Sequence, residues 1–472
     1  MFERKIHLKT IVKSALGDLF TPVGIYLRLR DQFRDTILLE SAGKQGEDNN
    51  FSFIAINAIA GIEIRNYNEA EIKFPNENAE KISLKDEKLT DILQGFSSSF
   101  ICEKPNHDIG RTAQGLFGYT SYDAIPFFEE IKFKEQSQEN KIPLLRYRLY
   151  QYVIAINHHN DELFIIENII KGLNSEVSII ENIIHQKNAP VFPFEKVDEE
   201  KSNLSDTDFL EMVEKAQMHC KRGDVFQLVL SRRFHQKFRG DEFNVYRALR
   251  NINPSPYLFF FDYGDYKLIG SSPESQIIIK DKKAIIHPIA GTFKRTHSIE
   301  NDLKAAERLK QDPKENAEHI MLVDLARNDL SIYGKNVRVS KLKEIHFFSH
   351  VIHMVSEVVA DVSSEQNPYE MISSTFPQGT LSGAPKFRAM ELIDQYEKSS
   401  RSYYAGCIGF VGFDGSCNQA IMIRTFLSKE NTLFYQAGAG IVSKSTPQNE
   451  LQEVNNKLEA LKKAIELAQK IY

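Results

Sequence analysis

Only four cysteines occur in 472 residues, and Cys102, Cys220, Cys407 and Cys417 form no CxxC pair and no metal-ligand spacing. So few scattered thiols exclude a disulfide framework and suit a reducing compartment. Basic charge is in deficit as well. Lys plus Arg number 59 against 64 Asp plus Glu, for a formal net charge of −5, and no basic cluster stands out. A mildly acidic chain of this kind is a poor partner for nucleic acid or an anionic membrane surface. No apolar run reaches the roughly 18 residues that a membrane helix needs. The N-terminal stretch MFERKIHLKTIVKS lacks a signal-peptide apolar core. What remains is ordinary for a soluble protein, with 42% hydrophobic and 26% charged residues. The length allows about three domains, or two large ones sharing a core. These bounds describe a cytosolic, core-forming enzyme.

Two halves differ in texture. Up to about Asn182 the chain reads as short β-like runs between polar loops, such as Ser52 to Ile64 and Leu149 to Asn157. The stretch from Lys132 to Lys141 is charged and aperiodic, which predicts a surface insertion. A segment with two prolines and a charge run, His185 to Asp206, is the best domain boundary. It separates an N-terminal region, 1–190, from a C-terminal region, 206–468. The latter opens on an amphipathic helix, Asp206 to Arg222, in which Phe209, Val213, Ala216 and Cys220 share a face. Ser205 to Thr207 offer its cap and Gly223 its left-handed stop. VFQLVLSRRF, YLFFFDY, SQIIIK, IGFVGFDG and LFYQAGAGIV then read as strands. Three helical stretches alternate with them, about Ile299 to Gln311, Lys314 to Leu330 and Pro447 to Gln469. In the last, Pro447 takes the first helical position behind Ser445 and Thr446.

Several constellations could carry chemistry. Glu315 and Glu318 lie three apart on one predicted helix, while Glu450, Glu453 and Lys457 share a face of another. Two such Glu pairs could enclose a hard divalent cation such as Mg²⁺; equally, Glu-xx-Glu-xxx-Lys is a common solvated helix face. GTLSGAPK (Gly379 to Lys386) and YQAGAGIVSKSTP (Tyr435 to Pro447) place glycines ahead of helices, where backbone N–H groups bind carboxylates or phosphates, or simply form turns. Neither matches a P-loop or a dinucleotide fingerprint. His353, in the apolar run HVIHMVSEVV, is a candidate acid or base or a core histidine. Glu274 follows a proline at a strand end, a place for a carboxylic acid of raised pKa or for a turn. Arg424 falls inside a predicted strand among apolar neighbours and needs an anionic partner. Together these residues fit a small substrate carrying two carboxylates.

About Asp206 to Ala468 the chain resembles the chorismate-utilising enzymes. The motifs run in order: GDVFQLVLSRR, NPSPYLFFF, GSSPE, PIAGT, AEHIMLVDLARNDL, HMVS, GTLSGAPK, GFVGFDG, AIMIRTF, AGAGIV and the final ExxExxxK. LLES (Leu38 to Ser41) and GLFGYTSYD (Gly115 to Asp123) resemble the regulatory half of the anthranilate-forming branch. Three positions sort the branches. Where water-using members carry a lysine base on the VFQLVLS strand, this chain has Gln227, which cannot take a proton. Where aminodeoxychorismate synthases carry a nucleophilic lysine in PIKGT, it has Ala290. LLES with NPSPY resembles a tryptophan feedback pocket, here Glu40, Ser41, Pro256, Tyr257 and Leu258, the last replacing a common methionine. All three favour anthranilate synthase component I.

The resemblance implies an α+β fold, with antiparallel sheets packed as a sandwich, helices outside and the two halves interleaved. It implies chorismate and ammonia as substrates and anthranilate and pyruvate as products. Glu318 and Glu453 would hold Mg²⁺, with Glu315 and Glu450 acting through its waters. Arg424, Tyr404, Lys457 and the backbone of Gly438, Ala439 and Gly440 would grip the carboxylates, while Thr380 and Gly291 position the ring. Glu274 would be the acid of the first step and His353 the base of the second, with Thr380 and Lys457 completing the catalytic set. Two departures stand out: Ala405 where the family has glycine, and FKRTHS after PIAGT. No amidotransferase cysteine elbow appears, so ammonia is expected from a separate glutamine amidotransferase subunit. The lack of tryptophan (Trp 0) agrees with an enzyme made when tryptophan is scarce, although a lysine-, isoleucine- and asparagine-rich composition also depletes it.

Overall fold

Two long apolar runs, Phe51–Ile64 and Leu145–Asn157, have the composition of strands covered on both faces. In the computed structural model, which describes residues 4–42, 50–85, 87–134, 139–296, 298–347, 351–363 and 365–471, they pair antiparallel from Phe51↔Asn157 to Ile64↔Leu145. The ladder spreads from this pair in both directions. One arm passes through Thr36–Glu40, Tyr257–Asp262, Tyr266–Ser272, Thr425–Lys429, Thr432–Ile441, Gln227–Gly240 and Phe194–Ser202. The other passes through Gly115–Thr120, Cys407–Gly412, Cys417–Ile421, Ser275–Lys280, Lys283–Ile286 and Val351–Asp361. Ile289–Lys294 and Lys335–Phe347 both pair with this last strand. The result is mixed helix and sheet around one large antiparallel sheet. Strands from the first 190 residues bond directly to later ones: Glu40 lies opposite Leu258, and Thr120 opposite Cys407.

The helix Asp206–Arg222 starts on a capping box between Ser205 and Asp208 and stops where Gly223 turns left-handed at φ 84°. The terminal helix Pro447–Ala468 packs on Thr432–Ile441 and on the helices Phe243–Ile252 and Asp206–Arg222. It buries Val454, Leu458, Leu461 and Ile465 in the main core. Ile299–Gln311 and Pro313–Ser331 lie elsewhere, against the strands around Val351–Asp361. Beneath the first of them is a small separate core of Ala305, Ala306, Leu309, Ile352 and Met354. No helix among the described residues is long and apolar enough to cross a membrane.

The structure departs from the sequence reading in four places. Helices at Pro22–Leu29, Leu89–Ser98, Val177–Ile184 and Phe243–Ile252 interrupt what reads as strands and loops; at eight to ten residues each is too short to establish a 3.6-residue period. Arg424 is not inside a strand. It occupies the break between Cys417–Ile421 and Thr425–Lys429 with φ 48°, which turns its side chain out of the pleat. The segment His185 to Asp206 contains the strand Phe194–Ser202, paired to Gln227–Gly240. Of the expected surface insertion, 135–138 lie outside the described residues, whereas Asn140 is buried and its carbonyl accepts the Ser402 hydroxyl at 2.7 Å.

Candidate active site

Pro273 ends the strand Tyr266–Ser272 and leaves Glu274 facing the short helix Gly379–Ser382. Thr380 Oγ1 donates to Glu274 Oε1 at 3.0 Å. Burial pushes the Glu274 carboxyl up to about 7, against the Thr380 hydrogen bond and the charges of Lys457 and Arg424, which pull it down. The group is thus both protonated and ionised near neutral pH, as a general acid must be.

A second group shares the influence of Arg424 with it. The strand Ile289–Lys294 bulges between Ala290 and Thr292, and Gly291 within the bulge takes φ 70°, a conformation open to glycine without strain. Its carbonyl accepts His353 Nδ1–H at 2.8 Å. Burial pulls the imidazole below its ordinary pKa, the Gly291 bond opposes this, and the charge of Arg424 adds to it. In the neutral ring the Gly291 bond places the proton on Nδ1, so Nε2 is the basic nitrogen. A Cβ at Gly291 would lie 2.6 Å from Leu309 Cδ1 and 3.0 Å from Glu315 Oε2, which sets the helix Pro313–Ser331 directly behind the bulge.

Arg424 acts on both groups. Its guanidinium, lowered by burial and raised by Glu274, donates to Asn253 Oδ1 at 3.3 Å. Lys457 Nζ donates to the Gly438 carbonyl at 2.9 Å and pairs with Glu453 at 2.7 Å. The Tyr404 hydroxyl lies against Gly438, 3.1 Å from where a Cβ there would stand, and burial raises its pKa. At Gly440 a Cβ would sit 2.5 Å from Gln227 Nε2, so the Gln227 amide covers that stretch of backbone. Glu274, Thr380, Arg424, Lys457, Tyr404 and Gly438 therefore form one chain of contacts and charges, with His353 and Gly291 joined to it through Arg424. Asn253 is a member the sequence did not disclose, because its side chain reaches Arg424 only through the fold.

The carboxylates expected to hold a metal are Glu315 and Glu318 on Pro313–Ser331 and Glu450 and Glu453 on Pro447–Ala468. Glu450 is buried. Among the described residues no three His, Cys, Asp or Glu side chains converge on a point. An all-oxygen donor set contributed in pairs still fits Mg²⁺, which takes one or two protein carboxylates and otherwise water and substrate oxygens.

Away from these residues, the strand pairing brings the expected inhibitor-binding stretches together. Glu40 lies opposite Leu258, and Ala42 N–H bonds the Ser255 carbonyl at 3.1 Å, which sets Ser41 close to Pro256 and Tyr257. The Glu40 carboxylate accepts Tyr246 Oη at 2.6 Å and Arg250 Nε at 2.8 Å. Arg250 is thus a basic residue of this region that sequence spacing alone did not reveal.

Comparison with known proteins decides the family. The chorismate binding enzymes match over residues 37–463. The chain belongs to that family. Anthranilate synthase component 1 of Aquifex aeolicus (strain VF5) is 36% identical over 480 residues, covering 96% of this chain and 94% of the relative. The Geobacillus stearothermophilus protein of the same name is 34% identical over 494 residues, covering 99% and 96%. The crystal structure of anthranilate synthase component I from Streptococcus pneumoniae TIGR4 superposes with a TM-score of 0.75 at 32% identity, covering 95% of this chain and 99% of that one. A menaquinone-specific isochorismate synthase from Escherichia coli shares the fold, with a TM-score of 0.74 at 17% identity. Among chorismate binding enzymes, then, this chain stands with the component 1 group.

Proposed function

We propose that the chain converts chorismate and ammonia into anthranilate and pyruvate, as the committing step toward tryptophan. Residues 206–468 carry the chemistry, and residues 1–190 form the regulatory region, which supplies Glu40 and Ser41 to an inhibitor site completed by Pro256, Tyr257 and Leu258. The observation that carries this reading is the Thr380–Glu274 pair, a carboxyl held near pH 7 within the field of two cations, one of which, Arg424, also acts on His353.

Arg424, Lys457 and Tyr404, with the backbone of Gly438, Ala439 and Gly440, bind the two carboxylates of chorismate, and Thr380 and Gly291 orient the ring. Glu274 gives its proton to the departing C4 hydroxyl, which leaves as water while ammonia adds at C2. His353 Nε2 then removes the C2 proton as the C3–oxygen bond breaks. The ring becomes aromatic, and the released enolpyruvate takes up a proton to become pyruvate. Glu318 and Glu453, supported by Glu315 and Glu450, would hold Mg²⁺, which neutralises the ring carboxylate when bound.

Gln227 supports an amine nucleophile. Its amide cannot deprotonate water, whereas ammonia attacks without a base. Ala290 likewise offers no amine for the aminodeoxychorismate route. Ammonia comes from a separate glutamine amidotransferase subunit in the cytosol, and L-tryptophan binds at Glu40, Ser41, Pro256, Tyr257 and Leu258. The test is to mix chain, chorismate, Mg²⁺ and an ammonium salt at mildly alkaline pH and follow anthranilate fluorescence and pyruvate. Both products should appear, and chelator or tryptophan should abolish them. An aminated product without pyruvate would move the chain to the aminodeoxychorismate branch.

A further inference from the structure

Arg401 is among the most deeply buried large side chains of the molecule, 2% exposed, and it makes no contact with the groups assigned to the chemistry other than the face of Tyr404. Its Nε and Nη2 grip Glu397 in a bidentate pair at 2.9 and 2.6 Å. The same guanidinium donates from Nη1 to the Leu381 carbonyl at 2.7 Å and from Nη2 to the Val229 carbonyl at 2.8 Å. It lies 5.6 Å from the Tyr404 ring centroid and 4.9 Å from that of Tyr122. Glu397 Oε1 also accepts the Ser231 N–H at 2.9 Å and hydroxyl at 2.7 Å, and Ser231 stands opposite Gly438 in the ladder. Next along the loop, Asp123 accepts the Ser400 hydroxyl and the Ser402 N–H.

One ion pair therefore touches three separately built parts of the site: the residue after Thr380, the ring of Tyr404, and the strand that faces Gly438. It is also where Tyr122 and Asp123 of the first 190 residues grip the loop that carries Tyr404. Fold stability alone does not require this arrangement, because apolar residues of similar volume often replace a buried ion pair without loss. What apolar residues cannot do is donate to two carbonyls on different elements while stacking on a third.

We propose that Arg401, clamped by Glu397, is a positioning residue that sets the distance between Thr380, Tyr404 and the Gly438 backbone, and so the seat in which chorismate is held. This rests on the function proposed above. The test compares the full-length wild type with Arg401→Lys and with the double variant Glu397→Leu/Arg401→Met. The readouts are melting temperature, kcat, KM for chorismate and for ammonia, and the chorismate Kd by calorimetry. Both variants are expected to melt near the wild type. Both should lose at least tenfold in kcat/KM for chorismate while KM for ammonia stays unchanged. Either variant folding with wild-type kcat/KM and chorismate Kd would overturn the proposal and leave the pair as a fold stabiliser. Should both fail to fold, Ser231→Ala decides. It removes the hydroxyl bond to Glu397 and the bond that the same hydroxyl accepts from Gln436 Nε2, and a loss of about threefold in kcat/KM is expected, whereas no change overturns the proposal. If the wild type makes no anthranilate, the function fails by itself. The positioning role is then judged on chorismate Kd alone, with tenfold weakening for it and no change against it.

Discussion

The two walls of the site are built differently. On one side Leu381, Tyr404, Ala439 and Leu458 belong to the main core, so Thr380, Tyr404, Gly438 and Lys457 stand on or next to it. On the other side Gly291 and His353 rest on the five-residue core of Ala305, Ala306, Leu309, Ile352 and Met354. The helix above that core leaves Ile299 80% and Leu303 57% exposed. Only farther out, at Val323 and Val358, does this wall rejoin the main core. The lesson is a division of labour. In the proposed reaction, the groups assigned to holding the substrate and donating the first proton stand on the main core. The group assigned to removing the second proton stands on a small core, where local opening is expected to cost less.

The strongest way to break this comparison is Glu274→Gln. If the well-packed wall carries the first proton transfer, kcat falls by roughly 10²–10⁴-fold while chorismate Kd, read by calorimetry, stays near that of the wild type. Next is Leu309→Ala. A truncation of this kind costs about 2–5 kcal/mol. Felt in a core of five residues, it should speed amide hydrogen exchange in Ile289–Lys294 and leave Thr432–Ile441 untouched. Equal acceleration in both strands would show that the walls are one cooperative unit.

Thr380→Val sharpens the comparison within the first wall. The lost hydrogen bond favoured the ionised form of Glu274, so the carboxyl stays protonated to higher pH than about 7. Since the acid must be protonated to act, the alkaline limb of the pH–rate profile moves upward, by about one pH unit for a bond of roughly 1.4 kcal/mol. A downward move would contradict the assignment. The smallest effect belongs to Ala405→Gly. Ala405 holds φ 66°, a left-handed conformation that strains a residue with a Cβ by about 1 kcal/mol. Relief should raise the melting temperature by about 1–2 °C with KM for chorismate unchanged.

How legible this was depended on whether neighbours in sequence are neighbours in space. Pro447 and the spacing of Glu450, Glu453 and Lys457 announce a helix and its shared face, and the structure has both. The Ser205 cap and Gly223 stop were equally local and equally readable. Short helices were not, although Thr21 caps Pro22–Leu29 with its side chain and proline follows at the first position, because one local cap carries little weight among β-like runs. Arg424 looks like a strand residue in sequence because apolar neighbours on both sides hide a single left-handed residue. Asn253 and Arg250 were beyond reach, since each meets its partner across the fold. The raised carboxyl of Glu274 follows a proline in sequence, but the Thr380 that tempers it lies 106 positions away.

The pairing of Thr36–Glu40 with Tyr257–Asp262 and of Gly115–Thr120 with Cys407–Gly412 also dictates how the chain is born. At the usual 5–20 residues per second, the ribosome needs roughly 10–60 s to deliver those later strands after the earlier ones emerge. For that interval the nascent chain carries open sheet edges, the templates on which chains of the same kind stick together. A gene split between the two halves would release a first product with no way to close those edges.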